Sequence, residues 1–281
     1  MALKREIAAA VAIPVVLGIL FFCAPIVFNL LVAVIALAAV WEFCRLAERT
    51  GHPVSKTVAM AGSAVLLFWM RDFALSDVFG TPWTLLVGIP MALVFLSCVA
   101  PLVAGVDPRL ALAGAASTFF SVACIAAPAM AICYLRNAGA SWGPPSLGRR
   151  AILFLFLIVW GCDSAAYYVG KNLGRHKLAP EVSPNKTWEG AIGGLLGATL
   201  IGAVFGGKWI LPELDPIRGA LAGALASTAG QFGDLFESMW KRGAGVKDSG
   251  TFLPGHGGFY DRIDSLLFAG PVLAAFVAAL P

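Results

Sequence analysis

Nine apolar stretches, most of them about as long as a membrane-spanning helix, follow one another along this 281-residue chain. A helix needs roughly 20 apolar residues to cross the hydrocarbon core of a bilayer. Hydrophobic residues make up 59% of the chain and charged residues only 13%. We therefore predict an all-α, polytopic membrane protein with about nine transmembrane helices. The stretches are 6–22, 25–44, 55–70, 84–104, 109–134, 151–170, 189–211, 216–238 and 262–280.

The composition excludes several classes of protein. Soluble domains carry about 25% charged residues, so an ordinary soluble enzyme and a disordered chain do not fit. A net charge of +4 is too small to indicate a nucleic-acid partner, and we expect none. The six cysteines lie in apolar runs without a Cys-x-x-Cys pair, which favours buried side chains over zinc ligands or disulfides.

The basic residues predict an orientation in the membrane. With nine spans, the N-terminus and the even-numbered connections lie on one side, which carries fourteen of the twenty Lys and Arg residues. Connections rich in Lys and Arg face the cytoplasm. We therefore expect the N-terminus, the two most polar loops and a polar cavity between the helices to face the cytoplasm.

Acidic residues at the ends of apolar stretches indicate a functional site. Asp163 lies within or at the edge of one span, while Asp234 and Glu237 end another. Asp261 and Asp264 begin the last span, and a spacing of three residues places each pair on one helix face. Ionisable groups in membrane helices are costly and usually mark function. The alternative is that they are helix caps and interfacial charges.

The segment Lys241–Asp264 combines carboxylates, bases and glycines. Carboxylates without a Cys or His cluster favour a hard cation such as Mg²⁺, with Mn²⁺ as an alternative. Lys and Arg bind phosphate oxygens, and glycine lets backbone N–H groups approach an anion closely. The segment therefore predicts a Mg²⁺–polyphosphate site at the cytoplasmic membrane surface, without naming a substrate.

Residues 238–264 read SMWKRGAGVKDSGTFLPGHGGFYDRID, and this run resembles the signature of the phosphatidate cytidylyltransferase (CDP-diacylglycerol synthase) family. Residues 162–190 and 230–238 resemble further segments of the same family, whereas the first 140 residues match only as a series of apolar spans. The matching signature positions are Ser238, Lys241, Arg242, Lys247, Asp248, Pro254, His256, Gly257, Gly258, Asp261, Arg262 and Asp264.

The resemblance implies an integral enzyme of the inner (plasma) membrane of a bacterium. Such an enzyme transfers CMP from CTP to phosphatidic acid in the bilayer, gives CDP-diacylglycerol and pyrophosphate, and serves phospholipid biosynthesis with the help of Mg²⁺. We expect N-terminal transmembrane helices over 1–135 and a catalytic region over 136–281, with cytoplasmic loops at 171–188 and 239–262. The oligomeric state stays open, and a homodimer is one option.

Roles for individual residues follow from the resemblance. We expect Asp234 and Asp261 to bind the metal ion, and Glu189 and Glu237 to orient basic partners. The expected catalytic residues are Asp234, Lys247, Asp248, Asp261 and Asp264. The expected substrate contacts are Asp163, Ser183, Lys186, Thr187, Lys241, Arg242, His256 and Arg262.

Two other functions are compatible with parts of the sequence. Glycine-interrupted spans with acidic residues also suit a transporter of anionic solutes. The clustering of polar residues on one membrane face and the lack of an inverted repeat argue against it. A related enzyme that activates another lipid phosphate with CTP, or a polyprenol kinase, would keep similar chemistry, but the signature favours the phosphatidate enzyme.

Overall fold

The computed structural model describes residues 2–69, 82–141, 144, 146–250 and 257–280. Helices dominate these ranges. The first helices are α1 (Ala2–Phe22), α2 (Pro25–Arg49), α3 (Lys56–Trp69), α4 (Pro82–Val103), α5 (Pro108–Ser121) and α6 (Ala127–Ser141). The π-helical turn Val122–Ala126 joins α5 to α6, so the apolar stretch 109–134 forms one continuous helix.

The second half contains the only sheet among the described residues. Helix α7 (Leu147–Leu173) is followed by a short antiparallel hairpin, in which Lys177 lies opposite Thr187 and Ala179 opposite Ser183. The remaining elements are β1 (Lys177–Ala179), β2 (Ser183–Thr187), α8 (Trp188–Ile201), the π-helical segment Gly202–Trp209, α9 (Pro216–Gly243) and α10 (Tyr260–Ala278).

Among the residues that the structure describes, four helices are long and apolar enough to cross a membrane. They are Pro25–Arg49, Pro108–Ala138, Leu147–Leu173 and Trp188–Trp209, and shorter apolar helices occur at Ala12–Phe22, Lys56–Phe68 and Gly88–Val103. The predicted class, an all-α polytopic membrane protein, is confirmed. The number of nine spans and a cavity open to the cytoplasm stay predictions.

The chain divides into two compact units. Unit 1 contains Met1–Cys133 and Gly243–Asp261, and unit 2 contains Tyr134–Arg242 and Arg262–Pro281. Each unit thus combines two separate parts of the sequence. The division into regions 1–135 and 136–281 stays a prediction.

Glycines let the helices of unit 2 approach each other closely. A Cβ atom on Gly223 of α9 would meet the carbonyl oxygen of Ala198 in α8. Gly202 and Gly219 face each other in the same way, each against the carbonyl oxygen of the other. Small residues of this kind allow backbone-to-backbone packing in membrane proteins. This packing fixes α9, which carries two of the acidic residues described below.

We expect Gly223→Ala to destabilise the protein, because the added methyl group would press on backbone atoms that cannot move aside. Overpacking of this kind costs about 1–3 kcal/mol. The control is Gly18→Ala, since a Cβ atom there meets no heavy atom within 4 Å. Thermal unfolding in detergent should show a lower midpoint for Gly223→Ala only. Equal midpoints for the two variants would contradict the close packing.

Candidate active site

Three acidic side chains come together in unit 2. Asp234 and Glu237 lie one turn apart on α9, and Asp264 lies on α10. One carboxylate oxygen from each residue lies within 4.8 Å of the others. Gly233 permits this approach, because a Cβ atom there would lie 2.8 Å from the backbone oxygen of Asp264. We call Asp234, Glu237 and Asp264 the acidic cluster.

Two lysines contact the acidic cluster. The Lys186 Nζ atom, on β2, lies 2.6 Å from an Asp234 carboxylate oxygen, and both side chains are partly exposed. Lys241, one turn after Glu237 on α9, forms an ion pair with Glu237. The Glu237 side chain is almost fully buried, at 1% exposure. Its charge is therefore neutralised within the protein, while Asp234 and Lys186 remain accessible.

A fourth acid lies close enough to act on this group. Asp163 on α7 is exposed, and its charge acts on both Asp234 and Lys186. Helix α7 packs closely on α8, since a Cβ atom on Gly194 would lie 2.9 Å from the Cys162 sulfur. The structure therefore brings together the acids predicted on three separate spans.

The hairpin that carries Lys186 is fixed at both ends. The Thr187 hydroxyl accepts a hydrogen bond from the Gly190 N–H at 3.1 Å and so caps α8. Glu189 accepts the backbone N–H groups of Arg175 and His176, and its Oε1 lies 2.6 Å from the His176 ring. These contacts hold the strand ends in place, so the position of Lys186 follows from the local fold.

Asp261 lies in a separate network within unit 1. Its Oδ2 atom accepts hydrogen bonds from the backbone N–H and hydroxyl of Ser249, both at 2.9 Å, and from the Gly258 N–H at 2.6 Å. Glu42 of α2 accepts from the same Ser249 hydroxyl at 2.9 Å. Sequence reasoning overlooked Glu42. The signal that could have found it is an acidic residue within an otherwise apolar stretch.

The predicted site residues are thus distributed as follows. Unit 2 brings together five of them, namely Asp163, Lys186, Asp234, Lys241 and Asp264. Ser183 and Thr187 lie on the hairpin strand β2. Arg242 contacts the same hairpin, since it donates a hydrogen bond to the Val182 oxygen at 3.2 Å. Arg262 is exposed near the start of α10, and Lys247 and Asp248 are exposed in unit 1. His256 lies outside the described residues. The catalytic and binding roles of all these residues stay predictions.

The acidic cluster fits a hard divalent cation. Carboxylate oxygens are the protein ligands that Mg²⁺ and Mn²⁺ use, and Mg²⁺ typically takes one or two of them with water and phosphate oxygens. Asp234 and Asp264 could provide such a pair. Glu237 is already engaged by Lys241. The structure thus places Asp264, which we predicted as a catalytic residue, beside the predicted metal ligand Asp234, and the metal-binding role of both residues stays a prediction.

Unit 1 contains a cavity of about 310 Å³ at the end of α2. It is lined by Trp41, Arg45, Glu48, Arg49 and Lys56. Its one acid, Glu48, is paired with Lys56 at 2.7 Å. A single paired carboxylate does not make a metal site, so this cavity is not a candidate for binding the cation.

The sequence of this chain is similar to those of proteins of known function. The sequence pattern of the cytidylyltransferase family matches residues 3–280. A phosphatidate cytidylyltransferase of Haemophilus influenzae is 33% identical, over 97% of each chain. The enzymes of the same name from Brucella suis and Bacillus subtilis are each 47% identical, but these alignments cover only about half of each chain. The family match and the full-length relative, together with the apolar helices, define this protein as a membrane nucleotidyltransferase. The chain belongs to the cytidylyltransferase family.

We expect Lys241→Met to destabilise unit 2, because it leaves the buried Glu237 carboxylate without its cation. Removing one partner of a buried ion pair costs about 3–5 kcal/mol. Replacing both partners, as Glu237→Met with Lys241→Met, should recover most of that loss. Unfolding midpoints in detergent measure both effects. A Lys241→Met variant as stable as the wild type would show that the ion pair does not stabilise this unit.

Proposed function

We propose that this protein transfers CMP from CTP to phosphatidic acid, giving CDP-diacylglycerol and pyrophosphate, in the inner membrane of a bacterium. The name and full-length similarity of the Haemophilus influenzae enzyme support this reaction. The apolar helices support a membrane location, since the lipid substrate stays in the bilayer. The excess of bases on one predicted side supports an active site that opens to the cytoplasm.

The acidic cluster beside Lys186 is the observation that carries the proposal. In this reaction an oxygen of phosphatidate attacks the α-phosphorus of CTP, and pyrophosphate leaves. Phosphoryl and nucleotidyl transfers depend mainly on positioning and on neutralising phosphate charge. A phosphate monoester is already an anion at neutral pH, so the attack needs no general base. The carboxylates are therefore better suited to hold a cation than to remove a proton.

Asp234 and Asp264 would hold Mg²⁺ or Mn²⁺, and Asp261 stays a proposed ligand on the strength of the signature motif. When bound, such an ion neutralises phosphate charge and aligns attacking and leaving oxygens. Glu237 is proposed to hold Lys241 in place rather than to bind the ion. Asp163 would extend the acidic surface from α7.

Lysines and arginines would bind the phosphates of both substrates. Lys186 is the base best placed for this, because it is partly exposed and its Nζ lies 2.6 Å from the proposed ligand Asp234. Its ammonium group could therefore neutralise the charge of a phosphate bound beside Asp234. Lys241, Arg242, Lys247 and Arg262 are proposed to assist. Ser183, Thr187, Asp248 and His256 keep the roles that the signature implies.

We expect purified protein to convert radiolabelled CTP and phosphatidic acid into CDP-diacylglycerol with equimolar pyrophosphate. Asp234→Asn and Asp264→Asn should each lower turnover by on the order of 100-fold, because phosphate charge is then poorly neutralised. The matched control is Glu181→Gln in the hairpin turn, an exposed acid with no ion pair among the described residues. It should keep wild-type turnover.

Three outcomes would contradict the proposal. Solute flux without nucleotide chemistry would indicate a transporter. Faster reaction with a different lipid phosphate, or transfer of phosphate instead of CMP, would change the substrate or the reaction. Near-normal turnover of folded Asp234→Asn at limiting Mg²⁺ would leave the activity intact but refute the metal assignment.

A further inference from the structure

Glu42 is a buried acid in the apolar helix α2, with 7% of its surface exposed. Its Oε2 atom accepts hydrogen bonds from the Ser249 hydroxyl and from the Tyr260 N–H, both at 2.9 Å. Its Oε1 atom accepts one from the Phe259 N–H at 3.1 Å. Three donors from residues more than 200 positions away thus surround one side chain.

Two of these donors belong to the beginning of α10. The helix begins at Tyr260, and the first N–H groups of a helix have no acceptor within the helix. Glu42 supplies that acceptor, and its negative charge is favourable at a helix N-terminus. Phe43, the next residue of α2, packs edge-on against the fully buried Tyr260 ring, with centroids 6.4 Å apart. Helix α2 therefore fixes where α10 starts.

The glycines of the signature segment are adapted to Glu42. A Cβ atom on Gly250 would collide with the Glu42 carboxylate, and one on Gly258 would collide with the carboxylate and the Ser249 hydroxyl. Neither glycine has a positive φ angle, so close approach and not backbone conformation requires them. The chain on both sides of residues 251–256 therefore wraps around this one carboxylate.

Ser249 connects Glu42 to Asp261. Its hydroxyl lies 2.9 Å from both Glu42 Oε2 and Asp261 Oδ2, and its backbone N–H donates to Asp261 Oδ2 at 2.9 Å. One hydroxyl carries one proton, so when it donates to Glu42 the backbone N–H still holds Asp261. The orientation of Asp261 thus depends on Ser249, and the position of Ser249 depends on Glu42.

We infer that Glu42 is a positioning residue for the reaction: it holds Ser249 and the start of α10, and through Ser249 it fixes the Asp261 carboxylate. The inference rests on the proposed function, in which Asp261 belongs to the reacting site. Glu42 itself touches no substrate in this account. The glycines near Asp261 serve this internal carboxylate, in addition to any role toward phosphate.

The test compares Glu42→Gln, Ser249→Ala and the double variant. The glutamine keeps one acceptor but turns an amide N–H₂ toward backbone donors, so the network opens. We expect kcat per folded molecule to fall about 10–100-fold in each single variant, because a small misplacement of a reacting group lowers the rate by about this much. The KM for CTP should change little. The double variant should lose no more than the worse single variant, because both act through one path. The control is Glu48→Gln, which lies on the same helix but faces outward and pairs with Lys56.

A second readout does not depend on turnover. In Glu42→Gln, but not in Glu48→Gln, the Phe259 and Tyr260 amides should exchange with solvent faster, by on the order of tenfold, because their acceptor is disturbed. The inference is overturned if the Phe259 and Tyr260 amides exchange at the wild-type rate in Glu42→Gln, or if folded Glu42→Gln keeps a normal kcat. It is also overturned if the losses in kcat of the two single variants multiply in the double variant. If Glu42→Gln does not fold, normal kcat in Ser249→Ala overturns it. If the wild-type protein makes no CDP-lipid, the proposed function is refuted. The hydrogen exchange of the Phe259 and Tyr260 amides then still tests whether Glu42 holds the start of α10.

Discussion

A carboxylate withdrawn from water is costly unless donors or cations replace the water. This protein is mostly apolar helix, so each buried acid must bring its own partners. In unit 2, Lys241 neutralises buried Glu237, and Lys186 pairs with the accessible Asp234. In unit 1, backbone N–H groups and Ser249 surround Glu42. Some of these acids have all the partners they need within the protein. Others would still gain from binding a cation, and we propose that the chemistry takes place there.

The acidic cluster is the group of acids that we propose to bind a cation. Asp234, Glu237 and Asp264 concentrate negative charge, and among the described residues two lysines, Lys186 and Lys241, form ion pairs with this group. A divalent cation bound there would be attracted both by the acids and by the phosphates of an incoming nucleotide. These acids lie near the end of α9 and the start of α10, so the few charges of this apolar protein are concentrated at helix ends.

The sequence predicted much of this arrangement, because the signals are local. Apolar length predicts spans, and acids three residues apart predict a shared helix face, as found for Asp234 and Glu237. The motif pointed to Lys186, Asp234 and Asp264, which the structure brings together. In these cases a residue's neighbours in the sequence carry the information.

Other features depend on contacts between distant segments and could not be read from spacing. Nothing near residue 42 indicates that its carboxylate meets Ser249 and Tyr260. The glycines of the segment Lys241–Asp264 predict a close approach to an anion, and for Gly250 and Gly258 the structure places the side chain of Glu42 at that position. The preference between Asp261 and Asp264 as neighbours of Asp234 likewise depends on how α9 and α10 pack at Gly233.

The central claim is that the acidic cluster binds a divalent cation, and electron paramagnetic resonance of Mn²⁺ tests it most directly. Purified protein without nucleotide is titrated with Mn²⁺, and Mg²⁺ is then added as competitor. We predict a bound Mn²⁺ signal that Mg²⁺ displaces, that Asp234→Asn and Asp264→Asn weaken strongly, and that Glu181→Gln leaves unchanged. Equal Mn²⁺ binding by the wild type and the two cluster variants would contradict it.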